Sequence, residues 1–152
     1  MSEHRATINW ELKGSDFSYE AYNREHEWRF EDVRVPASAA PAFGGLPGHV
    51  DPEAALVAAL SSCHMLTFLA LCAREGHVVA RYSDAAVGTL EKNAAGRLAV
   101  TRVELRPRIE FRGEPPDADA LARLHDRAHR GCFIANSVTT DIVIRPLSTG
   151  ET

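Results

Sequence analysis

A continuous apolar stretch in the middle of the chain constrains the fold more than any other feature of this sequence. It covers residues 51–75 and reads DPEAALVAALSSCHMLTFLALCARE. Asp51 is a good N-cap, Pro52 suits the first helical position, and Glu53 suits the first turn. The stretch therefore predicts one long helix that ends near Gly76 and forms the core of the protein.

Polar residues interrupt this predicted helix near its middle, at Ser61, Ser62 and His64. Polar groups on a buried helix need hydrogen-bond partners or a polar cavity, so we expect something polar to face this part of it. The same interruption, with Arg74 near the end of the stretch, argues against a membrane span. Since the amino terminus lacks the basic start and apolar run of a signal peptide, we expect a cytoplasmic protein.

Short alternating apolar segments on both sides of the helix predict strands. The expected strands cover residues 4–13, 27–35, 77–82, 84–92, 98–112 and 136–145, and a second helix is expected from about residue 115 to about residue 130. A loop rich in proline and glycine, residues 36–48, precedes the long helix. Two separate helices among runs of strands indicate an α+β fold with antiparallel sheets, in a single domain of residues 1–152.

Composition narrows the classes of partner. The chain of 152 residues is long enough for one domain with its own core. Its 17 basic and 21 acidic residues give a net charge of −4, which argues against a nucleic acid or an anionic membrane as partner. The sequence lacks a glycine-rich phosphate loop, and we expect no cofactor. The odd number of cysteines, 3, in a reducing compartment speaks against a structural disulfide framework.

Two of those cysteines are the strongest candidates for chemistry. Cys63 lies where polar residues interrupt the long helix, and Cys132 follows the second helix. A lone cysteine in an apolar setting is usually inert packing, which is our interpretation of Cys72, whereas two thiols that meet in the fold can do redox chemistry. Because Cys132 comes at the carboxyl end of its helix, the helix dipole disfavours an anion there and should keep this thiol protonated.

The string VDPEAALVAALSSCHM, with Cys132 downstream after a short helix, resembles the osmotically inducible protein C and organic hydroperoxide resistance family (OsmC/Ohr). The resemblance covers nearly the whole chain. It implies antiparallel sheets wrapped around a long central apolar helix, in an intertwined homodimer. His64 and Phe133 stand where the family often has Phe and Pro, which indicates a divergent subfamily.

The resemblance also implies an activity, that of a thiol-dependent peroxidase reducing organic hydroperoxides in the oxidative stress response. Cys63 resembles the peroxidatic cysteine and Cys132 the resolving one. Glu53 resembles the carboxylate, and Arg24, in YNREHEW, the arginine that tunes the first thiol. In the expected cycle Cys63 becomes a sulfenic acid, Cys132 condenses with it to a disulfide, and an external dithiol reduces the disulfide.

An apolar substrate is expected from apolar side chains near these positions, namely Leu60, Met65, Phe68 and Phe133. Ten residues separate Glu53 from Cys63, which is about 15 Å along a straight helix. Either the helix breaks, or a second copy of the chain supplies one of the two groups. Two antiparallel helices packed across a two-fold axis would bring them together and make the homodimer part of the chemistry.

Two other classes of function remain open. Cys63, His64, His125, His129 and Cys132 offer soft ligands for zinc, but no CxxC or HExxH spacing supports a site, so we expect no metal. His125 and His129 are four residues apart and predict a solvated helix face. The third class is a non-catalytic protein that binds an apolar ligand and leaves its thiols idle.

Overall fold

The computed structural model describes residues 1–147 of the chain. The chain forms two compact units, one of Met1–Ala55 and one that begins at Leu56. The described residues form two α-helices, two short 3-10 helices and eight strands. The eight strands make up three sheets. The predicted α+β class is confirmed.

The first unit contains a three-stranded antiparallel sheet in the order β1-β2-β3. Its strands are β1 (Thr7–Asn9), β2 (His26–Phe30) and β3 (Val33–Ala37). The predicted single strand of residues 27–35 is therefore a hairpin, with Trp28 paired to Val35. The chain reverses at Glu31, whose φ of 52° lies in the left-handed region. In the loop before the long helix a short 3-10 turn forms at Pro41–Phe43.

The long helix α1 runs without interruption over Pro52–Glu75. Asp51 caps it as predicted, because its Oδ1 accepts a hydrogen bond from the amide of Ala54 at 2.8 Å. The helix ends at Gly76, whose φ of 81° is accessible to glycine at little cost. The amide of His77 donates to the carbonyl of Cys72 at 2.9 Å, which closes the last turn.

The second unit contains five strands and the helix α2. These elements are β4 (Val78–Asp84), β5 (Val87–Lys92), β6 (Leu98–Leu105), β7 (Pro107–Arg112), α2 (Ala118–Gly131) and β8 (Asp141–Ile144). The strands form two sheets, β4-β7 and β5-β6-β8. All pairs are antiparallel except β6 with β8, which is parallel and differs from the predicted antiparallel arrangement.

The predicted strand of residues 98–112 divides at Arg106 into β6 and β7, which belong to different sheets. The amide of Arg106 donates to Asp84 Oδ1 at 2.6 Å instead of to a neighbouring strand. Asp84 also accepts a hydrogen bond from the hydroxyl of Ser61 at 2.5 Å. One carboxylate therefore fixes the end of β4, the break between β6 and β7, and the middle of α1.

One stripe of α1 is buried, and its residues recur every four positions, Leu60, His64, Phe68 and Cys72. Three of these four residues belong to two core clusters. Phe68 and Cys72 pack against Leu124 and Ala128 of α2, while Leu60 packs against β6. Burying a side chain the size of Leu or Phe stabilises the fold by about 1.5–3 kcal/mol, so this stripe is a principal source of stability.

The opposite stripe of α1 is exposed, and it consists of small or apolar residues, Ala54, Ala58, Ser62, Leu66 and Ala70. Leu66 is 62% exposed. The expectation that the whole helix is core is therefore correct for one side only. By length and composition α1 could cross a membrane, with a mean hydropathy of 1.9 over its most apolar window, but the core helix of a water-soluble protein passes the same test. Its packed stripe supports the core-helix interpretation.

Candidate active site

The structure brings Cys63 and Cys132 into contact, with both thiols reduced. Cys63 is half-buried on α1, and Cys132 is 1% exposed at the carboxyl end of α2. The two side chains lie close enough for Cys63 to influence the pKa of Cys132. The pair therefore has one accessible sulfur and one sheltered sulfur, which is the arrangement that sequential attack by two thiols requires.

Cys132 is held by backbone groups on both sides. Its amide donates to the carbonyl of His129 at 3.2 Å, and its Sγ accepts a hydrogen bond from the amide of Ala135 at 3.3 Å. Burial raises the pKa of Cys132 to about 11, and the neighbouring Cys63 adds to the rise. The thiol is therefore protonated at neutral pH, as the helix-end argument predicts, although burial is the larger cause.

Thr67 and Gly131 form a close contact beside the two thiols, and sequence reasoning missed both residues. The hydroxyl of Thr67 donates to the carbonyl of Cys63 at 2.9 Å. A Cβ placed on Gly131 would lie 3.1 Å from Thr67 Cγ2, so a larger residue there would press on α1. Glycine directly before Cys132 lets the end of α2 approach the turn of α1 that carries Cys63. In the sequence, the glycine directly before Cys132 is the feature that could have indicated this close approach.

Polar partners do face the middle of α1, as the sequence predicts. Ser61 bonds to Asp84, and His64 Nε2 lies 3.1 Å from His125 Nδ1. The two imidazole planes differ by 2°, and the ring of Phe68 stacks on that of His125 with 4.5 Å between centroids. His125 is only 4% exposed, so the predicted solvated face for this residue is wrong. The helical spacing indicates that His125 and His129 share a face of α2, but spacing alone does not indicate whether that face is buried.

Burial lowers the pKa of both histidines. The pKa of His64 falls to about 4 because of burial, with a further contribution from His129 that Asp84 opposes. The pKa of His125 also falls to about 4, through burial and then through His64. Both rings are therefore neutral at pH 7, and one ring donates to the other.

The five residues of the alternative zinc site are not gathered around one point. Residues 1–147 contain no group of three or more His, Cys, Asp or Glu side chains placed to hold a metal ion. His64 directs its Nε2 to His125, whereas Cys63 contacts Cys132. Cys72 lies apart from all of them in the core, where burial raises its pKa to about 11. Its interpretation as inert packing agrees with this position.

Arg24 lies in the first unit and is firmly held there. Its guanidinium donates to the carbonyls of Tyr19 at 2.8 Å and Tyr22 at 3.1 Å. The rings of the same two tyrosines lie under it, with 4.2 Å from Cζ to the Tyr22 centroid and 5.1 Å to the Tyr19 centroid. Arg24 also lines a cavity of about 360 Å³ with Trp10, Phe17 and His26. It is thus an ordered cation within a cluster of aromatic rings.

Glu53 occupies the first turn of α1 and is half-buried. Because α1 is continuous over Pro52–Glu75, the broken-helix explanation for the distance between Glu53 and Cys63 is excluded. The rise of the helix places them about 15 Å apart along its axis. The carboxylate therefore does not reach the thiol of its own chain.

The four predicted substrate contacts occupy different environments. Leu60 is 1% exposed and Phe68 is 0% exposed, each in a core cluster, so neither presents an open surface in the single chain. Met65 is half-buried. Phe133, directly after Cys132, is 80% exposed. Of the four predicted contacts, Met65 and Phe133 therefore keep accessible apolar surface.

Together, the fold and the site define an α+β protein in which a long apolar helix carries one thiol and a second helix presents another to it. The family follows from comparison. A protein-family model described as OsmC-like protein matches residues 44–146, and the chain belongs to this family.

Solved structures agree with this assignment. An OsmC-like protein of unknown function from Vibrio cholerae is 44% identical, with a TM-score of 0.93 over 97% of this chain and 100% of that one. An organic hydroperoxide resistance protein from Elizabethkingia anophelis is 15% identical, with a TM-score of 0.71 over 96% of this chain and 94% of the other. A similarly distant protein from Legionella pneumophila, described as an organic hydroperoxide resistance protein OsmC, is 13% identical, with a TM-score of 0.70 over 97% of this chain and 100% of its own. These two distant likenesses concern the fold alone. A search of curated proteins found no match.

Proposed function

We propose that this protein is a thiol-dependent peroxidase that reduces organic hydroperoxides to alcohols. The observation that carries the proposal is the contact between Cys63 and Cys132, one half-buried and the other 1% exposed. An accessible sulfur can meet a peroxide, and a sheltered, protonated sulfur beside it is spared direct oxidation. Membership of a family that includes hydroperoxide resistance proteins is consistent with this chemistry.

The first step uses Cys63. Its thiolate attacks the distal oxygen of the hydroperoxide, the O–O bond breaks, and the released alkoxide takes up a proton and leaves as the alcohol. Cys63 is oxidised to a sulfenic acid while the hydroperoxide is reduced. Arg24 is our candidate for the cation that stabilises the thiolate, and Glu53 is the candidate for the carboxylate that orients the guanidinium.

The second step uses Cys132. Its sulfur attacks the sulfur of the Cys63 sulfenic acid, and the hydroxyl group leaves with the proton of Cys132 as water. The S–S bond that forms joins α1 to the end of α2. An external dithiol then reduces the disulfide by two exchanges and returns both cysteines to thiols.

A homodimer is part of this proposal. Since α1 is unbroken, Glu53 can act near a Cys63 only if the two residues belong to different chains. The exposed stripe of α1, with Ala54, Ala58 and Ala70, offers small residues on which a second α1 can pack closely. Such packing would also cover Leu66, which is 62% exposed in the single chain.

Two further parts of the proposal are the class of substrate and the cellular compartment. Phe133, directly after Cys132, and the half-buried Met65, two residues after Cys63, present apolar surface, which favours an alkyl or lipid hydroperoxide over hydrogen peroxide. Reduced thiols and a dithiol reductant fit a cytoplasmic protein of the oxidative stress response.

A second candidate function is binding of an apolar ligand without catalysis. The observation that favours it is the cavity of about 360 Å³ in the first unit, lined by aromatic side chains that include Trp10, Phe17 and Tyr22. In that case the thiols would be idle, and hydroperoxide would leave them unchanged.

Titration of free thiols against a hydroperoxide panel separates the two candidates. One equivalent of an organic hydroperoxide should remove two of the 3 thiols and yield one equivalent of alcohol. Cys63→Ser should lose neither of its remaining thiols, whereas Cys72→Ala is the matched control and should react as the wild type does. Unchanged thiols in the wild type at every hydroperoxide tested would contradict the peroxidase.

A further inference from the structure

Two histidines that the proposed chemistry does not use form a buried contact beside the thiols. His64 is 1% exposed, His125 is 4% exposed, and one hydrogen bond of 3.1 Å joins them. Their other ring nitrogens, His64 Nδ1 and His125 Nε2, have no hydrogen-bond partner among residues 1–147. Leaving a buried polar group unpaired costs about 1–3 kcal/mol, so apolar residues would stabilise these positions better. This cost points to a role other than stability.

The location of the pair relative to the cysteines suggests that role. His64 follows Cys63 directly on α1, and His125 precedes Cys132 by seven residues. Seven residues are about two helical turns, so His125 and Cys132 lie on the same side of α2. Each histidine therefore shares a helix with one member of the thiol pair, and their hydrogen bond joins the same two helices.

Two other contacts between α1 and α2 have little directional character. Phe68 and Cys72 meet Leu124 and Ala128 through apolar surface, and the hydrophobic effect does not specify direction. The ion pair between Arg127 and Glu75 is exposed, so water and salt weaken it. A hydrogen bond between two buried rings, in contrast, holds only over a narrow range of distance and angle.

We propose that the hydrogen bond between His64 and His125 is a positioning contact that fixes α2 against α1 so that Cys132 meets Cys63. The inference rests on the proposed function for its biological purpose, since the gain is rapid conversion of the Cys63 sulfenic acid to the disulfide. The histidines act through the cysteines, as positioning residues. Thr67 and Gly131 complete the same contact region by letting the backbones approach closely.

The geometry specifies which substitutions keep the bond and which remove it. His64 uses Nε2, the position that the amide group of Gln reaches, and His125 uses Nδ1, which Asn reaches. His64→Gln with His125→Asn is therefore the conservative variant. His64→Leu with His125→Leu removes both polar partners and fills the space, and such paired replacement can be nearly neutral for stability.

Equilibration with glutathione measures positioning without any hydroperoxide. One oxidised glutathione reacts with the two thiols of Cys63 and Cys132 to give the protein disulfide and two reduced glutathiones. The equilibrium gives the effective concentration of one thiol toward the other, and peptide mapping identifies the bond. The double leucine variant should lower this value about tenfold or more, because small displacements of reacting groups are costly. The effective concentrations of the conservative variant and of the control His129→Gln should stay close to that of the wild type.

Two results would overturn the positioning role. One is a double leucine variant that unfolds at the wild-type urea concentration and keeps the wild-type effective concentration. The other is a conservative variant whose effective concentration falls as far as that of the double leucine variant. If the double leucine variant does not fold, His125→Leu alone, set against His125→Asn, makes the same comparison with α1 intact. A wild type that forms the disulfide with glutathione but ignores hydroperoxides would contradict the peroxidase and not the positioning contact.

Discussion

Cys63 and Cys132 lie next to each other but differ in how far they are buried. Cys63 is half-buried near the middle of α1, whereas Cys132 is buried at the end of α2 with its Sγ against the amide of Ala135 at 3.3 Å. Burial raises the pKa of Cys132 to about 11, so its sulfur is a protonated thiol when Cys63 reacts. This difference is the basis of the proposed order of reaction, which can be tested directly.

Cys63→Ser should abolish peroxidase turnover, because the accessible sulfur is the one that attacks the peroxide. Cys132→Ser should permit a single oxidation and then stop with a sulfenic acid on Cys63. Trapping with a sulfenic acid reagent and mass spectrometry of the Cys63 peptide would detect this state. If Cys132→Ser lost the first oxidation as completely as Cys63→Ser, the roles would be reversed or wrong.

Arg24→Ala should slow the first oxidation by about tenfold at neutral pH, because the proposed mechanism uses the guanidinium to stabilise the negative charge on the reacting sulfur. Stopped-flow measurement of hydroperoxide consumption between pH 6 and pH 9 would show this. Arg34→Ala is the matched control, because Arg34 is an exposed arginine of the first unit that pairs with Glu27 at 3.3 Å. An unchanged profile for Arg24→Ala would remove Arg24 from the mechanism.

The sequence predicts the elements whose signals are local. Asp51, Pro52 and the apolar run define α1 to within a residue or two at each end, because capping and composition act over a few residues. The thiol pair was predictable because Cys63 and Cys132 each stand out in their own segment. The resemblance to a family then predicts that these two cysteines meet in the fold.

Features that depend on distant residues were missed. The break at Arg106 follows from a hydrogen bond to Asp84, twenty-two residues earlier, which no periodicity reveals. The parallel pairing of β8 with β6 joins two strands that β7 and α2 separate in the sequence. His125 looked like a surface residue because its burial is set by His64 and Phe68 on another helix. Long-range packing therefore overrides the local pattern at these points.

Acid should destabilise the fold through the two buried histidines. Their pKa values are about 4 in the folded protein, below the ordinary 6.5, so the unfolded chain binds more protons between these values. The stabilising contribution is complete above pH 6.5 and is lost as the pH falls toward and through 4. The free energy of unfolding should fall by up to about 1.4 kcal/mol per pH unit for each histidine.

Urea unfolding at several pH values between 7.5 and 4.5 measures this slope. The variant His64→Gln with His125→Asn is the comparison, since it keeps a polar contact but removes both titrating rings. Its free energy of unfolding should depend less steeply on pH than that of the wild type. Equal slopes in the two proteins would show that other groups cause the acid sensitivity.

Complementation between two inactive variants tests whether the active site is shared by two chains. Since α1 is continuous and Glu53 lies about 15 Å from Cys63 along its axis, the proposed homodimer takes Glu53 from one chain and Cys63 from the other for each site. Glu53→Ala and Cys63→Ser should each be inactive alone. Mixed after partial unfolding and refolding, they should regain activity, because each heterodimer contains one site in which both residues are intact.

The matched control is a mixture of Cys63→Ser with Cys132→Ser. These two cysteines contact each other within one chain, so no heterodimer of these variants has a complete pair, and turnover should stay absent. Native mass spectrometry establishes that heterodimers are present in both mixtures. Restored activity in the control, or none in the first mixture, would contradict a site built from Glu53 of one chain and the thiol pair of the other.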